Sequence, residues 1–262
     1  MKRSILSLGI AMALAVGSVG IAQATPNLIT NGDFSQIPTD ASGTTPQPIT
    51  AANYTPWIPQ VATSHCFLCT PLITWYPDLA SSQTGSEALT GVTATPGGDS
   101  PFLVFNGVVP GAGLDQAILG LGAGVYTVAF DWAVSQLATH GLNTQNHFQI
   151  SFGDQSFATP LITIPEHGFS GWQHASFTFN LTSPTDSTLN FLPLSRLGDS
   201  PSPFPGMALL DNVSMVHAVP EPPALAMFGG GVLGLGLLTI VARRAARRLD
   251  GMDGAGSDGN LG

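Results

Sequence analysis

Val125-Tyr126-Thr127-Val128-Ala129-Phe130-Asp131-Trp132 alternates with a period of two. Tyr126, Val128, Phe130 and Trp132 fall on one side, and Val125, Thr127, Ala129 and Asp131, mostly small, on the other. That is a strand with one buried face. His147 to Phe152 repeats it, with Phe148, Ile150 and Phe152 in phase, and so does Ser176 to Leu181, with Phe177, Phe179 and Leu181. Leu189 to Leu192, Ala208 to Val216 and Phe102 to Phe105 read as further strands. Turns rich in Gly, Pro, Ser and Asp separate them, as in Thr95-Pro96-Gly97-Gly98-Asp99 and Ser183-Pro184-Thr185-Asp186. Helix signals are absent from residues 25–219. Many short strands with such punctuation predict an all-β antiparallel sandwich. The Thr/Pro-rich stretch Ile37 to Pro59 reads as a long loop.

Composition narrows the function classes. The chain has 262 residues and is 44% hydrophobic, too apolar for a disordered protein. Its formal net charge is −9, and it lacks the basic patch that releases counterions from phosphate, so nucleic acid is not an expected partner. Residues 25–219 hold 12 acids against one basic residue, Arg196, a net charge of −11. A body of this size buries about 70% of its unfolded surface, enough for a stable core.

The two ends read as addresses. Lys2 and Arg3, an apolar run from Ile5 to Ile21, and Ala22-Gln23-Ala24 have the order of a secretory signal peptide, residues 1–24, with cleavage by signal peptidase after Ala24. Ala224 to Ala242 is a 19-residue stretch without a charge, long enough to cross a membrane as a helix. Arg243, Arg244, Arg247 and Arg248 follow it and place that end in the cytoplasm by the positive-inside rule. Residues 249–262 read as a disordered, acidic, Gly-rich tail.

Val219-Pro220-Glu221-Pro222 stands just before the apolar stretch. A Pro-Glu-Pro motif, a Gly/Leu-rich membrane helix and an Arg cluster, in that order, resemble the PEP-CTERM sorting region of Gram-negative bacteria over residues 219–248. The resemblance implies recognition by exosortase, a membrane-embedded cysteine transpeptidase. It further implies removal of the helix, then release or attachment at the surface of an exopolysaccharide-producing cell. Relatives usually end soon after the arginines, whereas this chain continues to Gly262.

A second resemblance spans the exported body, residues 25–218. It opens with Asn27-Leu28-Ile29-Thr30-Asn31-Gly32-Asp33-Phe34 and closes with Leu210-Asp211-Asn212-Val213-Ser214. Between them stand Gly124-Val125-Tyr126-Thr127-Val128-Ala129-Phe130 and Gly171-Trp172-Gln173. The set is similar to the galactose-binding-like jelly roll of many carbohydrate-binding modules. It implies a jelly-roll sandwich and, less directly, glycan binding.

The resembling modules often carry a structural Ca²⁺ between the opening segment and the last strand. Asp33 and Asp211 are the positions this implies, Asp211 being in phase with Leu209, Val213 and Met215. Relatives usually have an acid directly after the opening Phe, where this chain has Ser35. The ordinary alternative is that both aspartates cap turns. No other cofactor is expected. Cys66 and Cys69 form a CxxC with no βαβ pattern around it, and in an oxidising compartment read as a local disulfide. Trp57, Trp75, Tyr76 and Trp172 are candidates for stacking on sugar rings, or for sandwich core. Exposed aromatics would favour binding, aromatics packed between sheets a structural role, and a buried carboxylate pair in a cleft an enzyme. No GxSxG elbow or phosphate loop occurs, and the acids show no recognisable glycosidase pairing, so the expectation is a non-enzyme. The leading reading is a surface or matrix protein that binds exopolysaccharide or is embedded in it.

Overall fold

The computed structural model describes residues 25–36, 38, 45–50, 52–60, 73–85, 88–98, 101–106, 113–139, 143–196 and 206–218. Thr25–Val219 is one compact unit with its own core, the anatomy of a domain that can fold alone. It is all-β: two antiparallel sheets packed as a jelly-roll sandwich, with one 3-10 turn, Ser81–Gln83, and no α-helix among the described residues.

In chain order the strands are β1 (Gln47–Pro48), β2 (Ile58–Pro59), β3 (Ile73–Tyr76), β4 (Phe102–Asn106), β5 (Leu114–Leu121) and β6 (Gly124–Ser135). Then come β7 (Thr144–Phe152), β8 (Gln155–Ala158), β9 (Ile162–Ile164), β10 (Gln173–Leu181), β11 (Thr185–Arg196) and β12 (Met207–Ala218). Sheet A runs β1-β3-β4-β12-β6-β10. Sheet B runs β2-β5-β11-β7-β8, with β9 also paired to β7. The six strands expected from alternation are β4, β6, β7, β10, β11 and β12, most of them a few residues longer than read. The stretch taken for a long loop holds β1 and β2 at its far end, each two residues with a proline that ends pairing.

Each long strand gives its large apolar side chains to the space between the sheets. Tyr126, Val128, Phe130, Trp132 and Val134 of β6 meet Phe148, Ile150 and Phe152 of β7 and Leu189 and Phe191 of β11 there. Phe130, Trp132 and Phe148 all pack edge-on in this layer, Phe130 and Phe191 at 5.0 Å, an arrangement aromatic rings prefer over a flat stack.

A second, smaller cluster covers part of the other face of sheet A. Leu89 and Val92 pack there on Tyr76, Phe102, Val104, Ala133 and Leu209. Asp211 was expected in phase with Val213 and Met215. The structure corrects this. The β12–β6 register shifts between Asp211 and Ser214, and Asn212 takes a left-handed conformation, φ 52°. This bulge sends Leu209 to the smaller cluster but Val213 and Met215 to the core between the sheets.

Candidate functional site

Three of the four aromatic candidates lie inside the protein, so as sugar platforms they are corrected. Trp57 is 0% exposed, Trp75 1% and Tyr76 1%. Trp57 Nε1 donates to Asn31 O at 2.9 Å, and Trp75 Nε1 donates to Phe34 O at 2.9 Å. Both indoles thus close on the Asn31-Gly32-Asp33-Phe34 turn. Burying an indole requires a partner for its N–H, and this turn provides two. Asn31 and Phe34 are both left-handed, with φ of 53° and 52°. That conformation is strained for a phenylalanine and persists where the surroundings over-determine it. Tyr76 stacks on Phe102 at 5.4 Å in the smaller cluster instead.

Tyr54 completes this clasp. Its hydroxyl accepts from Asn31 Nδ2 at 3.2 Å and donates to Phe34 O at 3.4 Å. Burial pushes the Tyr54 hydroxyl well above its ordinary value of 10.0, and the charges of Asp33 and Asp211 add to the rise, against the hydrogen bond from Asn31. A raised value means the fold holds the neutral form. The associated stability is therefore complete below pH 10 and is lost as pH climbs toward the folded-state value. Urea midpoints measured from pH 8 to 11 are expected to fall more steeply for the wild type than for Tyr54→Phe. Parallel curves would rule this out.

The aspartates proposed for calcium occupy different settings. Asp33 is exposed, and its Oδ1 accepts from Ser35 N at 3.3 Å and Ser35 Oγ at 3.0 Å, an Asx turn. Asp211 is 0% exposed and accepts from Asn212 N at 2.7 Å. Hydrogen bonds already tie the opening segment to the closing strand: Leu28 N to Met215 O at 2.7 Å, Val213 N to Gly32 O at 2.8 Å, and Met215 N to Asn27 Oδ1 at 2.9 Å. Among the described residues no group of three or more His, Cys, Asp or Glu gathers as metal ligands.

Asp211 stands instead in a transverse row. It is the register partner of Asp131 on β6, and Asp131 is the partner of His174 on β10. His174 Nδ1 lies 2.9 Å from Asp131 Oδ1, and Asn212 Nδ2 donates to Asp131 Oδ2 at 2.9 Å. Each carboxylate is thus engaged by neighbours, which a buried charge requires. Trp172 is half-buried, packs edge-on to Phe102 at 5.7 Å and donates to Thr93 O at 2.9 Å. Cys66, Cys69, Val219, Pro220, Glu221, Pro222, Arg243, Arg244, Arg247 and Arg248 lie outside the described residues, as do the signal peptide and the apolar stretch 224–242. Among the described residues no helix is long and apolar enough to cross a membrane.

The face of sheet B turned away from the core carries a polar row that the sequence reading missed. Register places Ile58, Asp115, Asn190, Ser151 and Ser156 opposite one another across β2, β5, β11, β7 and β8. Asp115 accepts from two amides: Gln60 Nε2 at Oδ2 and Asn190 Nδ2 at Oδ1. Gly113 makes room for this, since a Cβ there would stand 3.0 Å from Asn190 Nδ2 and 3.0 Å from Phe191 O. One row along, Leu192 pairs with Gln149, whose Nε2 donates to Ser156 Oγ at 2.8 Å. Asp115, Asn190, Gln149, Ser151 and Leu192 are all half-buried. They are held by neighbours yet open to solvent. The row presents fixed carboxylate, amide and hydroxyl groups, with Ile58 at its end and Leu192 in the neighbouring row, the mixture that a polyhydroxylated ring meets with hydrogen bonds and CH contacts. Its sequence signal was the polar phase of β7, Gln145, His147, Gln149 and Ser151, opposite the apolar phase that identified the strand.

No protein-family model matches the chain, and no characterised protein matches it in sequence. Solved structures do. The chain is similar to the carbohydrate-binding module TmCBM61 in complex with beta-1,4-galactotriose, at 13% identity and TM-score 0.39, covering 74% of this chain and 100% of that one. It is similar to the CBM22-1 xylan-binding domain of Paenibacillus barcinonensis Xyn10C, at 11% identity and TM-score 0.38, covering 76% and 100%. It is also similar to the arabinose-bound α-L-arabinofuranosidase MgGH51, at 12% identity and TM-score 0.41, covering 72% of this chain and 26% of that one. At these identities and TM-scores the similarity assigns this chain neither their ligands nor their activities.

Proposed function

We propose that residues 25–219 are a glycan-binding module and that the outer face of sheet B is its site. The observation that carries this is the row of Asp115, Asn190, Ser151 and Ser156, in which two amides fix one carboxylate on an open sheet face. Donors and acceptors held in place before binding lose less freedom when a sugar arrives. The row holds one carboxylate, whereas glycoside hydrolysis takes two flanking the bond, so the reading is binding without hydrolysis. The ends of the sequence support export, exosortase sorting through residues 219–248, and a place at the cell surface or in an exopolysaccharide matrix. Burial of Trp57, Trp75 and Tyr76 supports a second reading, a structural surface protein with no specific ligand.

Affinity electrophoresis of the Thr25–Val219 unit in gels of bacterial and plant polysaccharides separates the two. Retention by at least one glycan is expected. Asp115→Ala should weaken it by roughly 10- to 100-fold, as expected when one charge-assisted hydrogen bond is lost. Its melting temperature should stay near that of the wild type. No retention by a folded sample, or equal retention by Asp115→Ala, would overturn the assignment.

A further inference from the structure

Three of the four sheet borders are short. β1 and β2 are two residues each and carry Pro48 and Pro59, while β8 and β9, four and three residues, share the far border of sheet B. The fourth border, β10, is nine residues long, Gln173-His174-Ala175-Ser176-Phe177-Thr178-Phe179-Asn180-Leu181, with no proline and no Asp, Glu, Lys or Arg. Natural sheets blunt such edges with charges, prolines or bulges, and among the described residues this one is blunted only at its end. Gln155 Nε2 donates to Asn180 O at 2.6 Å, and Gln155 Oε1 accepts from Asn180 N at 3.1 Å. A side-chain amide there imitates the next strand. It also shows that the backbone of Asn180 faces away from β6. By the two-residue alternation of an antiparallel ladder, Thr178, Ser176 and His174 face away too.

We propose that this edge pairs with β10 of a second copy of the chain, antiparallel and two-fold symmetric about Ser176. Gln155 closes the edge at Asn180, so the open stretch is Gln173 to Phe179, and its midpoint is Ser176. Pairing about that point sets Ser176 against Ser176 of the partner copy, and His174 against Thr178. About six backbone hydrogen bonds form, with no like charges opposed. On the other face Phe177 meets Ala175, large against small. Phe177 is half-buried and stacked on Phe157 at 5.5 Å, and Phe157 is 38% exposed, so a second copy covers an aromatic pair that one copy leaves wet. Charge favours a meeting at this border. A body with 12 acids and one Arg repels its own kind, and the acid-free strand is where two copies approach at least cost. Asp131, behind it, is already engaged by His174 and Asn212.

Two measurements test the pairing. In sedimentation equilibrium of the Thr25–Val219 unit, the wild type is expected to be a dimer. Ser176→Lys, which opposes two ammonium groups at the symmetry axis, should raise the dissociation constant by about 5-fold with an unchanged melting temperature. Thr178→Pro removes an outward N–H without touching the β6 ladder and should act alike. In the full chain, Ser176→Cys should give a disulfide-linked dimer under mild oxidation, since paired residues in this register lie within disulfide reach. Thr178→Cys alone, whose partner is His174, should give none beyond the wild-type background from Cys66 and Cys69. A monomer at all concentrations, a dimer indifferent to both Ser176→Lys and Thr178→Pro, or crosslinking at Thr178→Cys instead of Ser176→Cys, would overturn the proposal.

Discussion

Trp75→Ala is expected to destabilise Thr25–Val219 by about 4 kcal/mol and to lower its melting temperature by roughly 8–16 °C. The ring is 1% exposed, and its removal leaves a cavity in the core between the sheets. Phe34 O also loses its 2.9 Å donor and keeps only the longer bond from Tyr54. Phe34 is left-handed, so the loss falls on a backbone that its contacts hold in place. Trp75→Phe keeps most of the buried area and loses the N–H, and should cost about 1–3 kcal/mol. Urea denaturation of the two variants and the wild type measures this. If Trp75→Ala were as stable as the wild type yet lost glycan retention, the clasp would be the wrong account and the ring would belong to a binding site.

Gly32→Ala should cost about 3 kcal/mol, the upper part of the range for overpacking, because the obstacle is backbone. A Cβ at residue 32 would stand 1.9 Å from Val213 O and 2.9 Å from Val213 C. Relief means moving the turn away from β12, which breaks the Val213 N to Gly32 O bond as well. Gly122→Ala is the control, since a Cβ there would meet nothing within 4 Å. A melting temperature for Gly32→Ala within 2 °C of the control, about the effect of less than 1 kcal/mol, would refute the close approach.

Strands were legible where one face carries bulky residues and the other small ones, as in β6, β7 and β10. They were not where burial breaks the alternation. β3 is buried at all four positions, so it has no polar phase to read. β5 turns Gln116 inward, 2% exposed, where an apolar side chain would have marked the strand. Its amide instead accepts from Thr30 N and donates to Thr30 O, both at 2.9 Å, across 86 residues of chain. The phase of Asp211 failed at a bulge that a left-handed Asn212 creates, and Asn-Val gives little warning of one. The polar row was hidden for a different reason. Asp115 and Asn190 are 75 residues apart, and only strand register makes them neighbours. Likewise the indoles of Trp57 and Trp75 suit a sugar or a core equally well until their N–H groups are seen to meet carbonyls 26 and 41 residues away.

β12 is the last described strand, yet it lies in the middle of sheet A with β4 on one side and β6 on the other, and it also receives the opening segment at Val213 and Met215. A chain that emerges from a ribosome beginning at its N-terminus therefore holds a gap in that sheet until residues 207–218 arrive. The contacts that close it join the two ends of the unit, the costliest loops to close and the slowest to form. Folding of sheet A then waits until the whole body has been synthesised. It also means that truncation before residue 207 would split a sheet through its centre, not fray its border.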